Sequence, residues 1–248
     1  MISLCDITLG YGSRTLLEGA SATFGEGTFT ALLGRNGAGK STLLRAMAAL
    51  GPVAAGRITV GGRDMAAMSA AERARMVSIV TTERVRIANL ACRQVVALGR
   101  APYTGWSGRL GADDAAAVER ALEAVGMSDF AGKSMDRMSD GECQRIMIAR
   151  ALAQQTPVIL LDEPCAFLDL PARYDMHRLL SSLAHDEGKT IIFSTHDLDS
   201  AAACCDNIAL IATPHLVCRP AQEMLHSGEI ELAFGLEAGA LARRRHGE

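Results

Sequence analysis

Three short apolar segments of the chain each end in polar or turn-forming residues, which is typical of buried parallel strands. They are TFTALL at 28–33, PVILL at 157–161 and TIIFS at 190–194. Stretches with helical spacing of apolar residues separate them, and in the last of these Met176 and Leu183 fall on one predicted helix face. This alternation of strands and helices predicts an α/β fold with a mainly parallel sheet.

Two regions depart from that alternation. RITV at 57–60, followed by two glycines, predicts a small antiparallel sheet beside the parallel one. In the middle of the chain, Val118, Leu122 and Val125 recur at helical spacing, and a further helix is predicted to follow MSDGE at 138–142. The middle region is therefore predicted to be a helical insertion in the α/β core.

The same patterns predict the organisation of one large domain. The α/β core with its antiparallel β-subdomain covers 1–83 and 156–220, and an inserted helical subdomain covers 84–155. A C-terminal tail is assigned to 221–248, and we expect its basic end, LARRRHGE, to be solvated.

The amino-acid composition and net charge of the chain exclude some classes of function. The 248 residues are 49% hydrophobic and carry a formal net charge of −3, so no global basic field favours nucleic acid, and phosphate binding must be local. No apolar run is long enough to span a membrane, and the N-terminal residues lack a secretion signal, so we expect a cytoplasmic protein. Its seven cysteines contain no C-x-x-C pair and are predicted to be free thiols.

The strongest chemical signal follows the first apolar segment, in GRNGAGKST at 34–42. Its pattern of Gly34, Gly39, Lys40 and Ser41 is that of a phosphate-binding loop between a strand and a helix. Such glycines let backbone N–H groups surround the phosphates, the lysine reaches the terminal phosphates, and the hydroxyl ligates Mg²⁺.

Polar residues at the ends of the other two predicted strands complete this site. Asp162 and Glu163 end one strand, where open α/β sheets place their ligands. Asp162 is suited to hold Mg²⁺, and Glu163 to orient or deprotonate the attacking water. His196 ends the next strand and is a candidate to touch the γ-phosphate or the water, with a buried structural histidine as the alternative.

MSDGE has two possible explanations. Ser139 and Glu142 have the spacing of a helix capping box, which is purely local architecture. The start of the same helix is also suited to bind an anion, because exposed N–H groups and the helix dipole attract phosphate.

In order, GRNGAGKST, MSDGE, VILLDEP, FLDL and STHD resemble the motifs of the nucleotide-binding subunit of ATP-binding cassette (ABC) transporters. The resemblance covers roughly residues 1 to 220 and implies a P-loop NTPase core that binds ATP and Mg²⁺. It implies catalytic roles for Glu163, His196 and Lys40, and metal contacts from Ser41, Asp162 and Glu83. The nucleotide-contacting residues that it implies are Tyr11, Gly34, Asn36, Gly37, Gly39, Lys40, Ser41, Thr42, Ser139, Gly141, Glu142 and Asp169.

In that family, MSDGE corresponds to the signature that contacts the γ-phosphate held by a partner subunit. Asp169 matches the acidic residue of the loop that communicates across the dimer, and Tyr11 matches the aromatic residue that stacks on adenine. The resemblance therefore implies that two ATPase subunits, in the simplest case two copies of this chain, enclose two ATP molecules.

Two positions differ from the family pattern. Where a Pro-Gln pair is usual, this chain has Thr81, Thr82 and Glu83, so either Thr82 or Glu83 takes the role of the glutamine near Mg²⁺. Asp140 replaces a usual glycine in the signature, and we predict that its carboxylate points away from the phosphates.

The segment VVALGRAPYTGWSGRL at 95–110 is similar to ATPases that serve importers of iron-siderophore, haem and cobalamin. The similarity implies a subunit peripheral to the cytoplasmic face of the membrane, a separate transmembrane permease and an extracytoplasmic substrate-binding protein. In the family this region faces the permease, so Tyr103 and Trp106 are candidates to pack on it; a solvated loop is the alternative.

Other functions use some of the same features. An ABC ATPase of another importer or of an exporter would carry the same motifs, and the permease decides between these. A non-transport ABC ATPase in DNA repair or translation would generally show two fused cassettes or long insertions, and neither is found here. A phosphoryl-transfer kinase would use the phosphate-binding loop but has no use for the signature helix.

Overall fold

The structure, a computed structural model, describes residues 1–12, 14–83, 87–105, 108–166 and 168–237. The strands are β1 (Ile2–Tyr11), β2 (Arg14–Phe24), β3 (Phe29–Gly34), β4 (Ala55–Val60), β5 (Arg63–Asp64), β6 (Val77–Val80), β7 (Val158–Asp162), β8 (Thr190–Ser194), β9 (Asn207–Ala212) and β10 (His215–Pro220). The α-helices are α1 (Lys40–Met47), α2 (Ala70–Met76), α3 (Cys92–Ala97), α4 (Ala112–Ala124), α5 (Asp140–Ala153), α6 (Leu170–His185), α7 (Leu198–Cys204), α8 (Ala221–His226) and α9 (Glu229–Phe234).

The main sheet has the strand order β10-β9-β3-β8-β7-β6. Neighbouring strands from β9 to β6 are parallel, and only β10, at the edge, runs antiparallel to its neighbour. Every residue of β3, β7 and β8 is buried, because these strands are covered on both faces. The predicted α/β fold with a mainly parallel sheet is confirmed, and the carboxyl ends of β3, β8 and β7 lie side by side.

The second sheet is antiparallel, with the order β2-β1-β4-β5. It contains the predicted strand at 57–60, within β4. Alternate residues of β1 are buried, including Ile2, Leu4 and Leu9, and they pack with Leu43 and Met47 of α1. Helix α1 is therefore enclosed between the antiparallel sheet and the main sheet, which fixes the loop that precedes it.

The helical region packs α3, α4 and α5 against one another. Helix α4 covers Val118 and Leu122 and ends at Ala124, so that Val125 is its C-cap, and the predicted helix α5 begins within MSDGE, with Ser139 as its N-cap. Arg100 ties this region together from a nearly buried position: its guanidinium donates to Asp114 Oδ1 of α4 at 2.8 Å and to the carbonyl of Ala153 of α5 at 2.7 Å.

Residues 221–237 differ from the tail that the sequence suggested. They form α8 and α9, whose Met224 and Ile230 are buried in the same apolar core as β9. The basic end of the chain, from 238 onward, lies outside the described residues.

The segment compared with the importer ATPases is only partly described, and Trp106 lies outside the described residues. Tyr103 is 36% exposed, and its hydroxyl donates to the carbonyl of Gln154 at 2.9 Å. The guanidinium carbon atoms of Arg100 and Arg75 lie 4.0 and 5.2 Å from its ring centroid. Much of the ring is therefore already packed within this chain.

All seven cysteines are free thiols, as predicted. Among the residues that the structure describes, no helix combines the length and the apolar character needed to cross a membrane.

Candidate nucleotide site

The phosphate-binding loop connects β3 to α1, and its glycines adopt backbone conformations that other residues rarely reach. Gly37 has a φ of 77° and Gly39 a φ of 107°. A Cβ on Gly39 would also lie 3.3 Å from the Leu16 side chain of the antiparallel sheet. Gly39 caps α1 without any side-chain acceptor, so the first N–H groups of this helix remain available to an anion.

Lys40 is held close to the start of the same loop. Its Nζ donates to the carbonyl of Gly34 at 2.9 Å, and the residue is only 7% exposed. Asn36 and Ser41 are exposed, and the Thr42 hydroxyl donates to Tyr11 Oη at 3.4 Å. Tyr11 is itself 60% exposed, so its ring lies beside the loop and is open to a ligand.

Asp162 and Glu163 end β7, and Ser194 at the end of β8 holds both. The Ser194 hydroxyl donates to Asp162 Oδ1 at 2.6 Å and accepts from the Glu163 N–H at 2.9 Å. Glu163 has a φ of 49°, a left-handed conformation that typically costs about 1–3 kcal/mol and is often found at active sites. The neighbouring strand therefore fixes the Asp162 carboxylate and the backbone of Glu163.

His196 lies next to Glu163, with 3.7 Å between its Nδ1 and Glu163 Oε1. The side chain of His196 is 68% exposed and that of Glu163 is 26% exposed. This exposure excludes the alternative of a buried structural histidine and leaves room for a phosphate or a water at the pair.

Thr82 and Glu83, the two candidates for the missing glutamine, occupy different environments. The Thr82 hydroxyl donates to the carbonyl of Asp162 at 3.2 Å. Glu83 instead forms an ion pair with Arg45 of α1 at 2.7 Å, and its side chain is 71% exposed. The geometry thus places Thr82, rather than Glu83, in direct contact with the carboxylate-bearing strand end.

The capping-box interpretation of MSDGE is confirmed. Ser139 N–H and Oγ–H both donate to Glu142 Oε2 at 2.7 Å, and Glu142 N–H donates back to Ser139 Oγ at 3.3 Å. The hydrogen bond from the Ser139 backbone lowers the pKa of Glu142. Ser139 is exposed and Gly141 is partly exposed in the first helical turn, so this helix start is also accessible from outside the chain.

Asp169 caps α6 by accepting from Ala172 N–H at 3.0 Å. Four residues along the chain, Arg173 donates to Asp197 Oδ2 at 3.0 Å. Asp197 follows His196 directly and caps α7 through Ser200. Burial opposes the charge on Asp197, but the bonds from Ser200 and Arg173 outweigh it and lower the pKa of this carboxyl. One ion pair therefore joins the helix that Asp169 caps to the residue that follows His196.

The strand order brings together the phosphate-binding loop, Asp162, Glu163 and His196, but not Ser139, whose hydrogen-bond partner is Glu142. Sequence analysis missed Ser194. The parallel register pairs Ser194 with Asp162, so its position opposite the carboxylate was the signal that could have identified it. Helix α1 packs beside β7, so Ser41 and Asp162 offer hydroxyl and carboxylate oxygens, which are ligands that suit Mg²⁺.

Comparison with known proteins agrees with this geometry. The family model described as ABC transporter matches residues 17–166. The ferric enterobactin transport ATP-binding protein FepC of Escherichia coli strain K12 is 34% identical over 231 residues, which cover 93% of this chain and 85% of FepC. The achromobactin transport ATP-binding protein CbrD of Dickeya dadantii is 35% identical over 233 residues, which cover 94% of this chain and 87% of CbrD.

A longer relative is the cobalamin import ATP-binding protein BtuD of Halobacterium salinarum. It is 40% identical over 202 residues, which cover 81% of this chain but only 50% of BtuD, so the chain spans half the length of that relative. Among solved structures, the ATP-binding cassette MJ0796, in a dimeric post-hydrolysis state bound to ADP and Pi, superimposes with a TM-score of 0.78. It is 24% identical, and the match covers 89% of this chain and 99% of the cassette.

The motif order, the strand topology and these matches agree, and the family model alone spans more than half of the sequence. The chain belongs to the ABC transporter family.

Proposed function

We propose that this chain is the ATP-binding and ATP-hydrolysing subunit of an importer for a ferric siderophore, haem or cobalamin. One observation carries the ATPase proposal: the loop after β3, the carboxylates after β7 and the histidine after β8 meet at one edge of the sheet. A phosphate held by the loop would lie next to groups that can act on it.

ATP binding rests on the loop. The uncapped start of α1 offers N–H groups to the phosphates, and Lys40 places a positive charge beside them. Tyr11 is positioned to stack on the adenine ring. Ser41 and Asp162 are suited to hold Mg²⁺, which when bound neutralises charge on the terminal phosphates.

Hydrolysis rests on Glu163 and His196. Glu163 accepts the proton of the attacking water or orients that water, and His196, 3.7 Å away, holds the water or a γ-phosphate oxygen. Ser194 holds the Asp162 carboxylate and the Glu163 backbone, so the metal-binding and the water-activating carboxylates both lie at the end of one strand. Thr82 supports Asp162 from the side, whereas a metal role for Glu83 would require it to leave Arg45.

The working unit is a pair of ATPase subunits. The helix start with Ser139, Gly141 and Glu142 would contact a nucleotide held by the partner subunit, because it is accessible from outside the chain. Within its own chain, Ser139 is bonded to Glu142. Asp169 would lie at the same interface. The dimeric state of MJ0796, which shares this fold, supports the arrangement.

The importer assignment comes from the relatives, which are named for achromobactin, ferric enterobactin and cobalamin transport. The subunit would act at the cytoplasmic face of the membrane, with a separate permease and an extracytoplasmic substrate-binding protein. The family match disfavours a kinase, and these relatives favour an importer over an exporter or a non-transport ATPase.

The test is co-purification with its membrane partners and reconstitution in lipid vesicles. ATP-driven uptake should occur for a ferric siderophore, haem or cobalamin, and Lys40→Ala should abolish it. Vesicles that hydrolyse ATP but transport none of the three would overturn the substrate assignment. Absence of ATP hydrolysis in the wild-type complex would overturn the proposal as a whole.

A further inference from the structure

A histidine in contact with thiols lies behind the catalytic loop, and the proposed ATPase chemistry does not use it. His177 of α6 is only 9% exposed, and its Nε2 lies 3.5 Å from Cys165 Sγ. Together with Cys204 of α7, His177 also lines the groove between α6 and α7. Burial lowers the pKa of His177, but the two thiols outweigh it and raise the pKa to about 10. The imidazole is thus a ready acceptor for a thiol proton.

Cys204 is the thiol best placed to give up its proton. Its Sγ lies 2.9 Å from the carbonyl of Ser200 and 3.8 Å from Cys205 Sγ. In the thiol form the S–H donates to the Ser200 carbonyl, and this bond would break as the proton passes to His177 and leaves a thiolate. The hydrogen bond from Cys205, together with His177, lowers the pKa of Cys204 against the effects of burial and of the Asp197 carboxylate.

Small molecules can reach this thiol. An open groove of about 850 Å³ lies between α6 and α7, and its lining includes Cys204, His177, Ser200 and Ala203. Cys204 itself is partly exposed. Low thiol pKa combined with access is the environment in which cysteines react selectively.

The other side of His177 faces the active site. A smaller cavity of about 60 Å³ is lined by His177, Cys165, Glu163 and His196. Cys165 lies two residues after Glu163, in the same loop. A shift of the imidazole would therefore act on the loop that carries the proposed general base.

We propose that Cys204 is a site of reversible modification by low-molecular-weight disulfides, with His177 as its proton partner, and that its occupation slows ATP hydrolysis. The Cys204 thiolate attacks one sulfur of the disulfide, and a new S–S bond forms as the old one breaks. The Cys204 sulfur is oxidised, and the released sulfur is reduced and leaves as a thiolate. That thiolate takes the proton from His177, so one thiol has replaced another.

The first test exposes the full chain to glutathione disulfide and follows each cysteine by peptide mass spectrometry. Cys204 should react about tenfold faster than Cys5, because its greater thiolate fraction outweighs its lower intrinsic nucleophilicity. Cys5 is a suitable comparison because it is also partly exposed, on β1 of the other sheet. Equal rates, or faster reaction at another cysteine, would overturn the proposal.

Two variants test the role of His177 as proton partner and that of Cys204 as the modified thiol separately. His177→Gln should slow the modification of Cys204 several-fold, with circular dichroism as the check that the chain is folded. If the folded variant reacts as fast as wild type, His177 is not the partner. Cys204→Ser should keep its basal ATP hydrolysis and resist inhibition by glutathione disulfide, whereas Cys5→Ser should remain sensitive.

The inhibition rests on the ATPase activity proposed above, but the mass-spectrometric measurement does not. Loss of hydrolysis should follow the occupation of Cys204 and reverse on reduction with dithiothreitol. Full occupation with unchanged hydrolysis would overturn the coupling to the active site. A reduced wild-type complex that never hydrolyses ATP would instead count against the proposed function.

Discussion

Ser194 shows how one neutral side chain can organise two charged ones. By donating to the Asp162 carboxylate and accepting from the Glu163 N–H, it holds the side chain of one and the backbone of the other at the end of β7. Asp162 is 5% exposed, whereas the Glu163 side chain is more open. The environment thus distinguishes the carboxylate that we propose to hold the metal from the one that we propose to accept a proton.

The role of Glu163 can be tested without removing its shape. We expect Glu163→Gln to bind ATP normally but to lower kcat by about a hundredfold or more, because the amide cannot accept the proton of the attacking water. Steady-state ATPase assays and nucleotide-binding titrations measure the two effects. Normal turnover in this variant would remove Glu163 from the mechanism.

Thr82 and Glu83 can be compared directly. We expect Thr82→Ala to lower ATP hydrolysis more than Glu83→Ala, because only Thr82 contacts the end of β7, at the carbonyl of Asp162. Loss of one such hydrogen bond costs about 1 kcal/mol, or several-fold in rate where the bond supports the transition state. The opposite order of effects, measured at saturating Mg²⁺, would assign the role to Glu83.

At the residue scale, sequence patterns were most informative where the chemistry is carried by short contiguous motifs. The phosphate-binding loop could be predicted from its spacing, and the carboxylate pair from its place at the end of a predicted strand downstream of that loop. The Ser194 bridge could not, because it depends on the register between two strands that are 32 residues apart. The environment of Thr82 likewise depends on a tertiary contact.

Helix α2, which lies outside the helical region, offers a natural control for the signature. Helix α2 begins with the same capping box, in which Ser69 and Glu72 exchange the same three hydrogen bonds as Ser139 and Glu142. A purely local role would make the two serines equivalent. If Ser139 also contacts a nucleotide, its substitution should have an effect on hydrolysis that substitution of Ser69 lacks.

We expect Ser139→Arg and Ser69→Arg to destabilise the fold similarly, by about 1 kcal/mol for the loss of each cap. Only Ser139→Arg should abolish hydrolysis, because the bulky cation would enter the phosphate contact, while ATP binding to the monomer persists. Thermal unfolding and ATPase assays measure these effects. Equal loss of activity in both variants would reduce MSDGE to a helix cap.

The contact between Arg100 and Asp114 predicts an effect of pH on stability. The hydrogen bond from the Gly111 backbone and then that from Arg100 lower the pKa of Asp114 below its ordinary value of 3.8. The unfolded chain therefore binds this proton more tightly, so the contribution is complete above about pH 4 and is lost as the pH falls toward the lowered pKa.

We expect Asp114→Asn to lower Tm at pH 7 and to flatten the dependence of Tm on pH below about 4. Asp113→Asn, at an exposed position in the same helical turn, should leave both nearly unchanged. Thermal unfolding between pH 3 and pH 7, with pH values chosen to bracket the shift, measures this. Parallel curves for wild type and Asp114→Asn would contradict it.

The longer helices and the buried strands could be predicted from the sequence, because their apolar residues recur at helical spacing or form continuous apolar runs. Helices α4 and α5 and the buried strands β3, β7 and β8 are examples. The short helices α8 and α9 could not, because two turns are too few to show a period. Their burial depends on packing against β9, which no local pattern records.

At the scale of the whole molecule, the nucleotide site and the signature lie in different regions of the fold. The phosphate-binding loop lies between the two sheets, and Ser139 starts a helix that packs in the helical region. A site composed of both is proposed to need a second subunit. This requirement could be inferred from the family resemblance but not from the spacing of residues in one chain.

The ion pair between Arg173 and Asp197 has a consequence for enzyme kinetics. It joins the helix capped by Asp169, which is expected to face the partner, to the residue after His196. Displacement at the interface would change how His196 meets Glu163, so the two catalytic centres would not turn over independently. We expect a sigmoidal dependence of the hydrolysis rate on ATP concentration, with a Hill coefficient above one.

Arg173→Gln should bring that coefficient back toward one while leaving ATP binding intact, because the link is broken without touching the phosphate-binding loop. A hyperbolic curve in the wild-type enzyme would show that this link carries no signal. If the wild-type curve is sigmoidal and the Arg173→Gln curve is hyperbolic, this half-buried ion pair sets the cooperativity of the ATPase and hence how sharply its rate responds to the ATP concentration in the cell.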